Sequence, residues 1–167
     1  MTLNIFKFKA SRPIIPLIVF ILINHAARGA DALDWAVRCE TEGERRCYLV
    51  QNVLLAENQE RLASLALTGQ GEEIIALAGA PLGVNLPAAI QLQVDDGQPV
   101  QVPYQVCDAQ GCRGAVVLST KFFKAMKKGN KFTLSYQDTT GRRIGVPLSL
   151  NGLEHGLGKL KSAEYIQ

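Results

Sequence analysis

From residue 33 onward, apolar and polar side chains alternate with a period of two more often than with any other rhythm. In "LDWAVRC", Leu33, Trp35, Val37 and Cys39 share one face and Asp34 and Arg38 the other, which predicts a half-buried strand. After the polar turn "TEGERR", the segment "CYLVQNVL" repeats the pattern. "RLASLAL" and "EEIIALA" predict a third and a fourth strand separated by "TGQG". The clearest hairpin pairs "IQLQV" with "VQVPYQV": Gln91, Gln93, Gln101 and Gln105 fall outside, while Ile90, Leu92, Val94, Val100, Val102 and Tyr104 fall inside. Between them lies Asp95-Asp96-Gly97, and Asp-Gly between alternating runs is a strong turn signal. Pro103 has no backbone donor, so the second arm is expected at a sheet edge or at a bulge.

"GAVVLS" predicts a further strand, and then the period changes. In "STKFFKAMKKG" the residues Phe122, Ala125 and Met126 share one side, Ser119 or Thr120 serves as cap, and Gly129 is the stop, which predicts a short helix. "KFTLSYQ" and "RRIGVPLSL" form a last hairpin about "DTTG". "NGLEHGLGKLK" spaces Leu153, Leu157 and Leu160 for one weak helical face despite Gly156 and Gly158. The expected fold is all-β and mainly antiparallel: a β-sandwich or partly closed barrel with one or two short helices. A parallel α/β sheet needs longer helices between its strands than this chain supplies.

The segment before residue 33 has another character. Lys7, Lys9 and Arg12 precede the apolar run "PIIPLIVFILI" at 13–23, and small residues follow, the order of a secretory signal. The run is too short for a bilayer core, which needs about 20 residues, and it contains two prolines. Residues 1–32 are therefore expected to be a signal peptide cut at about 29–32, after Gly29 or after Ala32, leaving 33–167 as a single β domain in the periplasm, on the outer membrane or secreted. No cysteine stands where a lipid anchor would attach.

That reading alters the charge. The full chain has 18 basic and 15 acidic residues; without Lys7, Lys9, Arg12, Arg28 and Asp31, 14 of each remain. The formal +3 belongs to the leader, so the sequence offers no basis for nucleic-acid binding.

Candidate chemistry is sparse. After the leader one histidine is left, His155, which does not make a triad and reads as a surface side chain. The spacings Cys39-x7-Cys47 and Cys107-x4-Cys112 are unlike structural zinc knuckles. Asp95 and Asp96 serve a turn, and no nucleotide fingerprint occurs, so no catalytic, metal or cofactor residues are assigned. The concentrated charge is Lys121, Lys124, Lys127, Lys128 and Lys131, of which Lys121, Lys124 and Lys128 share a helical face. It is either an anion contact, for lipopolysaccharide phosphates or host glycans, or a solvated face opposite Phe122 and Met126. Trp35 is either a ligand platform or, in phase with Leu33 and Val37, a core anchor.

Taken together, "WAVRCE", "RRCYLVQ", "PLGVNL", "YQVCDAQGCRGAVVLS" and "VPLSLNGLEHGL" resemble the invasion-associated locus B family of Gram-negative bacteria, from about Trp35 to Leu160. The chain departs from the family's habit at Leu153, where an aromatic residue is common. The resemblance implies an exported, β-rich protein of the periplasm or envelope, linked in pathogenic members to host-cell invasion, with no catalytic residues to carry over. Its partner would be an envelope component or a host-surface molecule. Two other classes compete: an exported thiol-disulfide oxidoreductase using Cys107 and Cys112, and a carrier of a small apolar ligand. Because export favours oxidation and each cysteine couple brackets a turn, the expected bridges are structural, Cys39 with Cys47 and Cys107 with Cys112.

Overall fold

The computed structural model describes residues 34–41, 46–70 and 73–165; the expected leader at 1–32 lies outside the described residues. Among the described residues, strand-forming alternation produces ten strands: β1 (Ala36–Cys39), β2 (Cys47–Leu54), β3 (Arg61–Gln70), β4 (Glu73–Ala80), β5 (Ile90–Val94), β6 (Val100–Val102), β7 (Val106–Asp108), β8 (Gly111–Leu118), β9 (Phe132–Gln137) and β10 (Arg143–Leu148). Helix α1 (Thr120–Lys128) stands between β8 and β9, and α2 (Leu153–Tyr165) follows β10. Every pairing is antiparallel. A large sheet runs β1-β2-β3-β4-β8-β7 and a small one β10-β9-β5-β6, both open at their edges.

The two sheets share one core. Along one row of the large sheet Leu49 pairs with Leu67, Leu67 with Ala76 and Ala76 with Val116. Opposite them the small sheet contributes Ile90, Leu92, Phe132, Leu134 and Val146, all buried. Each large apolar side chain so enclosed stabilises the fold by about 1.5–3 kcal/mol relative to exposure. The inward positions Ala76, Ala78 and Ala80 of β4 are small, and all three are buried.

The predicted arm "VQVPYQV" is split in two. β6 ends at Val102, the edge of the small sheet, and β7 begins at Val106 in the large sheet. Pro103 cannot donate to a ladder, and the chain uses that break to change sheets. The crossing passes over Gly114, where a Cβ would collide with the carbonyl of Pro103, and Gln105 then donates its N–H to Arg113 O at 2.9 Å. Tyr104, on the crossing, points inward as its phase predicts. Its hydroxyl is buried with no hydrogen-bond partner among the described residues. Burial, and secondarily the nearby Tyr136, pushes the Tyr104 pKa up to about 12.

The helices lie where their apolar faces dictate. Ser119 Oγ caps α1 by accepting from Phe122 N–H at 3.2 Å, and the Gly129 N–H closes the other end on Ala125 O at 2.7 Å. Phe122 and Met126 are buried, but Ala125, expected beside them, is exposed; half-buried Phe123 takes its place. The apolar stripe is thus set by the two bulky rings. In α2, Leu153 and Leu160 are buried and Leu157 half-buried. Gly156 is a contact rather than a weakness, because a Cβ there would strike the side chain of Leu49 on β2. The buried Leu153 fills its site without an aromatic ring.

A polar node joins the sheets at one end. Gln51, the one buried polar side chain among the described residues, accepts from Ser149 N–H at 2.8 Å through Oε1. Its Nε2 donates to Ser149 O at 3.3 Å and to Asp34 O at 3.4 Å, while Trp35 Nε1 donates to the same Ser149 carbonyl at 2.9 Å. β1 and β2 are thereby tied to the segment leaving β10.

Three stability measurements by urea unfolding check this description. Gln51→Ala strands a partly buried Ser149 N–H and should cost about 1–3 kcal/mol. Gly114→Ala forces the crossing strand away from β8, with a loss of about 1–3 kcal/mol. The third concerns pH. Tyr104 is raised in the folded state, so its contribution is complete below the unfolded value of about 10 and is lost as pH rises through the folded value. Tyr104→Phe should therefore leave stability at pH 7 unchanged or raise it by up to about 1 kcal/mol, and make the alkaline loss shallower. A Tyr104→Phe variant that is destabilised at pH 7 would show that the hydroxyl has a partner.

Candidate functional site

Both cysteine couples close strand hairpins. Cys39 at the end of β1 faces Cys47 at the start of β2 and is bonded to it, with Cα atoms 4.0 Å apart. The Glu40 N–H donates to Arg46 O at 2.8 Å just beyond. Cys107 on β7 likewise faces and is bonded to Cys112 on β8, and no cysteine is free. The intervening turn needs Gly111, whose φ of 122° and contact with the Ala80 carbonyl exclude a side chain. Asp108 accepts from Gln110 N–H at 2.8 Å and from Arg113 at 2.7 Å. The hydrogen bond from Arg113 holds its carboxyl below the usual range.

The positions of these bridges in the sheet are informative. β1 and β7 are the two edge strands of the large sheet, only four and three residues long. Each bridge ties one of them to its longer neighbour. Neither sulfur of the second pair sits at a helix start, where a dipole would lower a thiol pKa, and the adjacent cation, Arg113, is engaged by Asp108. The geometry is that of a clip.

The remaining candidates fall apart spatially. His155 is exposed on α2. Asp95, with φ of 47°, does more than make a turn: its Oδ1 accepts the Asn130 and Lys131 N–H groups at 3.1 and 2.8 Å, fastening the α1–β9 connection to the β5 hairpin. That long-range role had no local signal. Asp96 is exposed, and among the described residues no group of three or more His, Cys, Asp or Glu is placed to hold a metal. Trp35 is 4% exposed, which removes it as a ligand platform and makes it a core anchor with a bonded indole N–H.

What stays on the surface is the lysine face. Lys121, Lys124 and Lys128 are exposed on the outer side of α1, without a carboxylate within ion-pair distance among the described residues. Lys127 turns the other way and meets Glu154 of α2 at 3.4 Å. Lys127 and Lys128 occupy the last turn, where the negative end of the helix dipole favours cations. The arrangement is a cluster of exposed ammonium groups on one face of the helix.

The node described above unites three separate sequence segments, since Trp35 belongs to "WAVRCE", Gln51 to "RRCYLVQ" and Ser149 to "VPLSLNGLEHGL". The fold matches the crystal structure of invasion-associated protein B from Bartonella henselae with a TM-score of 0.70, at 17% identity, over 80% of this chain and 94% of that one. No match was found among curated proteins. The family model described as "Invasion associated locus B (IalB) protein" matches residues 35–161, from the buried Trp35 to just beyond Leu160, so the chain belongs to the IalB family.

Proposed function

We propose that this protein acts after export, in the periplasm or at the outer envelope, as a non-enzymatic interaction protein whose lysine-bearing helix meets an anionic partner. The observation that carries the reading is the bonding of all four cysteines as two hairpin clips. Such bridges form and persist in oxidising compartments and are rare in reducing ones. Clips on edge strands stabilise a scaffold; a redox enzyme needs one thiolate poised for attack. The partner is an envelope component or a host-surface molecule carrying phosphate, sulfate or carboxylate groups. The Bartonella henselae protein is called invasion-associated, and a host-contact role for this chain extends that description by fold and family.

Peptide mapping of protein recovered from the native cell, without reduction, should find Cys39 linked to Cys47 and Cys107 to Cys112, on a chain starting between about residues 28 and 33. An intact Met1 or a reduced couple in the functional fraction contradicts the proposal. Replacing Cys107 and Cys112 together by serine should lower stability by about 2–3 kcal/mol. Insulin reduction by the wild type that vanishes in this variant would establish the oxidoreductase instead. Replacing Lys121, Lys124 and Lys128 by glutamine should weaken heparin or lipopolysaccharide binding, and the wild-type affinity should fall steeply with salt. Equal binding by the variant at every salt concentration would return these lysines to solvated surface.

A further inference from the structure

Between α1 and α2, on the flank of α1 between its buried face and its lysine face, lies a groove of about 620 Å³. Its floor is apolar: Ile74 and Leu118, directly paired across β4 and β8, with Phe123 from α1 and Leu157 from α2. Leu118 is buried, whereas Ile74, Phe123 and Leu157 are only half-buried, so three large apolar side chains converge on an open space. The volume falls in the range of small-molecule sites, roughly 300–1,000 Å³.

The rim carries the information about the occupant. It holds Lys127, Lys161 and Glu154. Glu154 is engaged by Lys127, and Lys161 has no carboxylate within ion-pair distance among the described residues. Among the described residues the groove therefore offers one ammonium that no carboxylate engages, beside an apolar trough, and the further lysines of α1 add to that sign of potential. Glu73, the neighbour of Ile74, belongs to the opposite face of β4 because side chains alternate along a strand. An apolar trough with a cationic mouth is complementary to one alkyl chain ending in one anionic head.

We propose that the groove between α1 and α2 binds a single-chain fatty acid, its chain along Ile74, Phe123 and Leu157 and its carboxylate at Lys161. This goes beyond the interaction role proposed above, since the lysine face is not part of the groove, and the failure of either leaves the other standing. The test is calorimetric titration of the oxidised protein with hexadecanoate below its micelle concentration. Saturable one-to-one binding is expected. In a series of shorter acids, affinity should rise about fourfold per added methylene until the groove is full. Lys161→Glu, at an exposed position, should weaken binding about two- to fivefold. Leu157→Gln should weaken it more, with circular dichroism confirming that the variant folds. Three outcomes overturn the proposal: no saturable binding, equal or tighter binding of hexadecyltrimethylammonium, or hexadecanoate binding unchanged in both variants. Association with phosphatidylglycerol vesicles without binding of free hexadecanoate overturns it too, because it would assign the groove to a membrane surface.

Discussion

The backbone of Ser149 is gripped from the opposite sheet: its N–H is accepted by Gln51, and its carbonyl receives both the Trp35 indole and the Gln51 amide. Apolar contact between two sheets is weakly directional, so burial alone would tolerate sliding or rotation of one sheet over the other. Hydrogen bonds between partly buried groups do not tolerate it, because a shift leaves donors and acceptors without partners at a cost of about 1–3 kcal/mol each. The node thus converts a greasy interface into one registered arrangement. The placement of α2 on Leu49 follows, since α2 begins four residues after Ser149 and Gly156 must seat on β2.

The bridges act where the node cannot reach. Edge strands of three or four residues form too few ladder hydrogen bonds to stay in place alone, and a loose edge invites pairing with another chain. Tying β1 and β7 to their neighbours closes both ends of the large sheet to fraying. On this scaffold α1 and α2 meet through Lys127 and Glu154, and α1 carries ammonium groups on its outer face and borders an apolar groove on the adjoining flank.

Period-two alternation was enough to read the strands, because each sheet has one face in a common core; it placed Ile90, Leu92, Val94 and Val102 inward from residue type alone. Gln51 also falls in the inward phase, between Leu49 and Val53, but its partner lies 98 residues away and no local pattern announces it. Long-range polar contacts of Asp95 were hidden for the same reason. Pro103 marked an irregularity without saying that the chain changes sheets there, a consequence of packing against Gly114. Gly156 looked like a helix breaker because propensity is local and the demand for closeness to Leu49 is tertiary. The lysine face was visible as spacing; the groove was not, since Ile74, Leu118, Phe123 and Leu157 come from four elements.

Native-state hydrogen exchange at the Ser149 amide tests the central role of the node most directly. Ser149 lies just past the last residue of β10, where an amide outside the ladder ordinarily exchanges through local fraying. If its bond to Gln51 locks the two sheets, this amide should exchange only through global unfolding, with an opening free energy equal to that of core amides such as Leu49 and Leu65. Exchange at the rate of an exposed turn, while those core amides stay protected, would contradict the claim that this contact holds the sheets in register.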